Sequence, residues 1–250
     1  MERRANLADY PAAFLEKLGE LEEKIGYSFQ NRMYLVTALT HSSFSKEKEK
    51  QLRLKFDYNE RQEFLGDSVL SLAVSEYLFS RSSSLSEGVL TKLRAASVCA
   101  DALFEYAEEI SLGAYMLLNH GLEETGGRHS KNILADCFEA LIAGVFLDGG
   151  GEKAKAFVLR FAVPKLQALT KGGFLHDRDY KSLLQQKVQT SPGERMEYVL
   201  SGEEGPDHDK VFTMDLYLNS NLIGRGSGHS KREAEQAAAK VALETWFGEK

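Results

Sequence analysis

Residues Asn59 to Leu70 read Asn-Glu-Arg-Gln-Glu-Phe-Leu-Gly-Asp-Ser-Val-Leu. Apolar residues recur at helical spacing, and Glu60, Glu63 and Asp67, at i, i+3 and i+7, fall on one face of the predicted helix. A second segment, Ile133 to Leu147, is almost wholly apolar yet carries Asp136 and Glu139 one turn apart. Either spacing alone is common on solvated helix faces. The apolar neighbours, Leu65, Val69 and Leu70 in one segment and Leu134, Phe138 and Leu141 in the other, predict instead that all four acids sit in buried surroundings.

An isolated carboxylate in a low-dielectric interior takes up a proton rather than stay charged, and two facing pairs repel as well. A hard divalent cation relieves both costs. Mg²⁺ accepts a few carboxylate oxygens and keeps waters that a phosphate can replace. The pattern therefore points to metal-assisted phosphoryl chemistry, with Mn²⁺ as a substitute ion.

The chain has 250 residues, 43% of them hydrophobic, enough for one large or two modest domains with a real core. No stretch approaches the roughly 18 apolar residues of a membrane span, and Met1 to Tyr10 lacks the apolar run of a leader, so the expected location is the cytoplasm. Cys99 and Cys137 have no metal-site spacing and read as small buried hydrophobes. A net charge of −6 excludes bulk attraction to nucleic acid and leaves only local basic patches.

Helical periodicity runs from about residue 10 to 170. Phe14, Leu15, Leu18 and Leu21 mark a first helix and Leu35 with Leu39 a second, followed by a charged stretch, Ser45 to Lys55, expected as a solvated loop. Further helices are expected over Ser86 to Ile110, Ser130 to Leu147 and Glu152 to Leu169, with breaks at Gly126-Gly127 and Gly149-Gly150-Gly151. After a joint over residues 171–177 the pattern changes. A helix over Asp179 to Gln189, strands over Met196 to Leu200, Val211 to Leu218 and Asn221 to Gly226, and a helix over Ser230 to Phe247 predict an α-β-β-β-α unit spanning residues 178–248. The fold class is thus an all-α domain over residues 10–170 followed by a small α+β domain.

With both halves in view, the chain resembles bacterial ribonuclease III over nearly its whole length. The resemblance rests on Asn59 to Leu70, on His41-Ser42-Ser43, on Glu87-Gly88 before Leu93-Arg94-Ala95, and on Ile133 through Leu141. It implies an endonuclease domain and a double-stranded-RNA-binding domain. Glu63, Asp67, Asp136 and Glu139 would hold the metal, with Asp67 and Glu139 the least replaceable catalytically, and Glu60 and Glu87 match auxiliary acids that could equally be exposed helix charges. The implied reaction is hydrolysis of phosphodiester bonds in duplex RNA, leaving 5′-phosphate and 3′-hydroxyl ends, on ribosomal RNA precursors and other structured transcripts. The resemblance further implies a homodimer, one site per subunit. Phe64 matches an aromatic that enters a socket on the partner, with an ordinary core phenylalanine as the alternative.

Recognition of an A-form duplex needs short polar side chains and a few cations. The resemblance assigns this to Ser182, Gln185 and Gln186 on the first helix of the second domain, to His208 in the loop Gly205 to His208, and to Ser230, Lys231 and Arg232 at the start of the last helix, where Ser230 reads as its cap. From Asp177 to Lys250 there are 13 acids against 10 lysines and arginines, a net of −3 that implies modest affinity from this domain. Gln62 stands where the family has leucine, Ser68 where it has alanine and could bond near Asp67, and Asn132 is a candidate cap or supporting group for the second acidic helix. The rival reading is a catalytically silent duplex-RNA-binding regulator, which retention of all four acids disfavours.

Overall fold

A computed structural model of the chain describes residues 3–81, 85–171, 180–189, 194–206, 209–246 and 248. It divides into two compact units, residues 1–83 with 92–168 and residues 84–91 with 169–250.

The helices are α1 (Ala12–Ile25), α2 (Arg32–Leu39), α3 (Ser42–Leu52), α4 (Glu60–Arg81), α5 (Glu87–Val98), α6 (Ala100–Glu109), α7 (His120–Glu124), α8 (Lys131–Gly149) and α9 (Gly151–Lys171). Two short parallel strands, β1 (Arg3–Arg4) and β2 (Leu54–Lys55), tie the amino terminus to the segment before α4. At the centre lies α8, buried from Leu134 to Val145 except at Asp136 and Glu139 and packed by α2, α4 and α6. Tyr106 of α6, Phe138 of α8 and Phe157 and Phe161 of α9 form one aromatic cluster, their rings 5.2–5.8 Å apart. Each such ring buries a large apolar area, so the cluster is a substantial part of this domain's core.

Two expected elements of the first unit differ, and in the second the strand expected over Met196 to Leu200 runs on to Glu204. The charged stretch after Ser45 is mainly helical: α3 begins where the His41 ring accepts from the Ser43 N–H at 3.1 Å. Phe44 is buried edge-to-face against Phe56, and Ser45 Oγ donates to the Phe56 carbonyl at 2.7 Å. Anchoring by Phe44 and Ser45 turns what composition reads as a loop into a helix with one wet face. The single helix expected over Ser86 to Ile110 is two, because Cys99 adopts an extended conformation and starts α6. That residue is exposed, against expectation, whereas Cys137 is buried.

The second unit contains α10 (Tyr180–Gln189), the antiparallel sheet β3 (Met196–Glu204), β4 (Val211–Leu218) and β5 (Asn221–Gly228), and α11 (Lys231–Trp246). Leu184, Val188, Leu216, Ile223, Ala238, Ala239, Ala242 and Leu243 close its core, with α10 packed on α11 and α11 on β4 and β5. Asn219 and Ser220 take φ of 50° and 70°, the positive values a two-residue hairpin turn requires. Side chains at Gly224 or Gly226 would overlap the backbone of α11, so these glycines let the sheet and helix meet. No described helix is long and apolar enough to cross a membrane.

Candidate metal centre and RNA-facing elements

Asn59 sets the start of α4. It is buried, its N–H donates to the Thr40 carbonyl at 2.9 Å, and its own carbonyl receives the Glu63 N–H at 2.8 Å. Thr40 also bridges to Leu117, fixing the end of α2 against a distant loop. From that anchor α4 runs across α8, and the crossing depends on Gly66. Any side chain there would overlap the backbone carbonyl of Glu139. A glycine inside a helix costs about 1 kcal/mol relative to alanine, and this close approach is what that cost permits.

The crossing gathers Glu63, Asp136 and Glu139, each half-buried, so that one carboxylate oxygen from each lies within 4.8 Å of the others. None of them forms an ion pair with lysine or arginine among the described residues. Burial and the negative charges of Asp67, Glu63 and Asp136 push Glu139 up to about 8. Burial, Asp136 and Glu60 raise Glu63, and burial raises Asp136 despite the nearby His41 ring. Three converging acids, each raised above its ordinary range chiefly by burial, form a site suited to a hard divalent cation and its waters.

Asp67 differs from expectation. It is exposed and stands outside the group of three, though close enough for its charge to act on Glu139. It follows Gly66, the point of closest approach to α8, by one residue and stays open to solvent. Glu60 is exposed, as is Glu87 at the start of α5. Asn132 lies exposed inside the first turn of α8, and Ser130 occupies the cap position, so Asn132 is not the cap. Gln62 is buried within its own unit, its Nε2 donating to the Tyr34 carbonyl at 3.1 Å, while Ser68 is exposed. Phe64 is 79% exposed and is therefore no core residue; Leu72 at 68% and Phe79 at 80% expose further apolar surface along α4.

Sequence reasoning assigned no role to Gly66, although a glycine amid apolar helix formers is itself a signal of close packing. His41 belongs to the motif His41-Ser42-Ser43, and its place beside the acids depends on tertiary contacts. In the structure His41 is half-buried, with Glu60 and Asp136 near enough to act on its charge.

In the second unit, Gln185 is exposed on α10, whose Leu184 and Val188 are buried. Ser182 and Gln186 occupy helical positions of α10, but their side chains lie outside the described ones, as does the whole of His208. Ser230 Oγ accepts the Glu233 N–H at 3.2 Å, capping the start of α11, and the Glu233 carboxylate accepts the His229 N–H at 2.8 Å just before it. Lys231 and Arg232 are exposed beside that cap, with Lys231 5.8 Å from the centre of the Phe212 ring.

Comparison with known proteins agrees with both halves. A family model described as Ribonuclease-III-like matches residues 31–166, and one described as Double-stranded RNA binding motif matches residues 180–245. Ribonuclease 3 of Pelotomaculum thermopropionicum is 44% identical over 228 residues, covering 91% of this chain and 92% of the relative. Ribonuclease 3 of Geobacillus kaustophilus is 45% identical over 229 residues, covering 92% and 91%. The crystal structure of the nuclease domain of ribonuclease III from Campylobacter jejuni is 38% identical, covers 60% of this chain and 96% of its own, and superimposes with a TM-score of 0.54. The chain therefore belongs to the bacterial ribonuclease III family and is an endoribonuclease with a double-stranded-RNA-binding domain.

Proposed function

We propose that the protein hydrolyses phosphodiester bonds of double-stranded RNA with Mg²⁺, or Mn²⁺ in its place, held by Glu63, Asp136 and Glu139 and joined by Asp67. The observation that carries this reading is the convergence of three carboxylates within 4.8 Å on a helix crossing, with no cation from the described residues among them. When bound, the metal acidifies a water and offsets charge on the phosphate. The protein's part is positional. Gly66 and the Asn59–Thr40 contact fix the two helices, the apolar wall of α8 limits water, and the acids, which no lysine or arginine among the described residues neutralises, give up their protons as the ion binds. Glu139 and Asp67 are the acids whose loss is expected to cost most activity.

In this reading the products carry 5′-phosphate and 3′-hydroxyl ends, and the substrates are ribosomal RNA precursors and other structured transcripts in the cytoplasm. Residues 10–170 act as the nuclease and 178–248 as the RNA reader. Ser182, Gln185 and Gln186 meet ribose hydroxyls, His208 meets a neighbouring groove, and Ser230, Lys231 and Arg232 meet phosphates. The protein works as a homodimer joined through exposed Phe64, one site per subunit, because a duplex presents its two backbones with local two-fold symmetry. A solved nuclease domain from Campylobacter jejuni, 39% identical with a TM-score of 0.53 over 58% of this chain and 95% of its own, is described as having a flexible region involved in dimer formation.

Incubating matched duplex and single-stranded RNA with Mg²⁺, Mn²⁺ or EDTA, then testing whether new ends accept labelled phosphate before and after phosphatase, checks the chemistry. Metal-dependent cutting of duplex alone, with ends labelled only after phosphatase, is expected. Cutting in EDTA, or 5′-hydroxyl ends, would overturn it.

A further inference from the structure

A cleft of about 780 Å³ opens between α3 and α7, lined among others by His41, Ser43, Lys46, Lys50 and Asn119. Its charge is the first point. Lys46 and Lys50 stand one turn apart, both exposed, and neither forms an ion pair among the described residues. Elsewhere in the same unit Lys131 is bonded to Asp101 at 2.7 Å and Lys155 to Glu76 at 2.5 Å. Glu47 also lines the cleft, but its carboxylate lies 4.0 Å from Lys48.

The second point is the cleft's polar floor. Ser43 Oγ accepts the Asn119 N–H at 3.1 Å and sits 2.9 Å from His41 Nδ1, which also accepts the Ser43 N–H. With Nδ1 an acceptor, the neutral ring carries its proton on Nε2 as a fixed donor. His41 belongs to this cleft and is also within electrostatic range of Asp136 and Glu60, so the cleft adjoins the acids.

The third point is the deficit elsewhere: from Asp177 to Lys250 there are 13 acids against 10 lysines and arginines. Among the described cations of that stretch, Lys181 pairs with Glu235 at 2.7 Å, Arg225 with Asp215 at 2.5 Å, Lys210 with Glu203 at 3.8 Å and Lys240 with Glu244 at 3.9 Å.

We propose that the α3–α7 cleft seats the sugar-phosphate backbone of the duplex, phosphates against Lys46 and Lys50 and the strand passing His41 toward the acids, supplying cationic contact that the second domain lacks. This rests on the reading of duplex RNA as the substrate.

The test is the salt dependence of duplex binding by the full chain in EDTA. Each phosphate contact contributes roughly 0.7–0.9 to the slope of log affinity against log salt. Lys46→Gln/Lys50→Gln is expected to lower the slope by roughly 1 to 2 and to weaken binding at about 0.1 M salt roughly 10- to 50-fold. Lys46→Arg/Lys50→Arg should restore both, which separates charge from folding damage. A control pair, Lys17→Gln/Lys153→Gln, exposed and outside the cleft, should leave the slope near wild type. An unchanged slope in the first variant, an equal fall in the control, or no recovery with arginine would overturn the cleft assignment while wild-type binding still upheld the substrate. If wild type does not bind duplex, the functional reading fails and the cleft assignment with it.

Discussion

The Cα of Gly66 on α4 lies against the backbone carbonyl of Glu139 on α8, with no room between them for a side chain. That contact sets how near Glu63 comes to Asp136 and Glu139. Gly66→Ala must push the helices apart, and overpacking of this kind costs about 1–3 kcal/mol. A lower urea midpoint at unchanged slope, with a weaker response of stability to Mg²⁺, is expected. A variant as stable as wild type would show that the helices are not in close contact there.

Glu139 gives a pH-dependent signature. Its carboxyl is held near 8 in the folded protein against about 4.5 for an unperturbed glutamate. Between those values the folded state keeps a proton that the unfolded chain has released, so stability falls as pH rises through that window and levels off above 8. Without metal, Glu139→Gln should match wild type near pH 4.5 and grow progressively more stable than it toward pH 8. Added Mg²⁺ should stabilise wild type more at pH 8 than at pH 5.5 and should do little for the variant. Denaturation midpoints at four or five pH values check this, and parallel curves for the two proteins would contradict it.

Much of this architecture is legible from the residues. Helical periodicity marks α4 and α8, and acids in apolar company mark the site, because charge placed beside Phe138 and Leu141 demands a compensating partner. The strand pattern and the Asn219 turn mark the second domain. Other features depend on tertiary contacts. Helix α3 exists because Phe44 finds Phe56 and Ser45 finds the Phe56 carbonyl, partners eleven or more positions away that composition cannot reveal. The outward position of Asp67 follows from where α4 crosses α8, which depends on Gly66. Exposure of Phe64 likewise follows from which face of α4 meets α8, in a helix whose apolar residues surround it on several sides.

Gln62 isolates a different cost. Its Nε2 reaches the Tyr34 carbonyl, but its Oε1 is buried with no partner. A buried acceptor left unpaired costs about 1–3 kcal/mol, partly offset here by the hydrogen bond from Nε2. Gln62→Leu is therefore expected to be neutral or to stabilise by about 1 kcal/mol in chemical denaturation. A loss above about 1 kcal/mol would mean that the Tyr34 bond outweighs the orphaned oxygen.

Phe64, Leu72 and Phe79 leave an apolar stripe on α4 that a monomer would expose to water. Phe64→Asp is expected to shift sedimentation from dimer toward monomer and to reduce double-strand cutting relative to nicking. A variant that remains fully dimeric at micromolar concentration would remove Phe64 from the interface.

The most direct measurement compares wild type with Glu139→Ala on one end-labelled RNA duplex in Mg²⁺, scoring cleavage and duplex binding side by side. The account predicts rapid cutting by wild type and at least about a hundredfold slower cutting by Glu139→Ala, in the range lost when charge stabilisation is removed from a transition state, with duplex affinity within about threefold. Cutting by Glu139→Ala at the wild-type rate, or a loss of cutting explained wholly by lost binding, would contradict it.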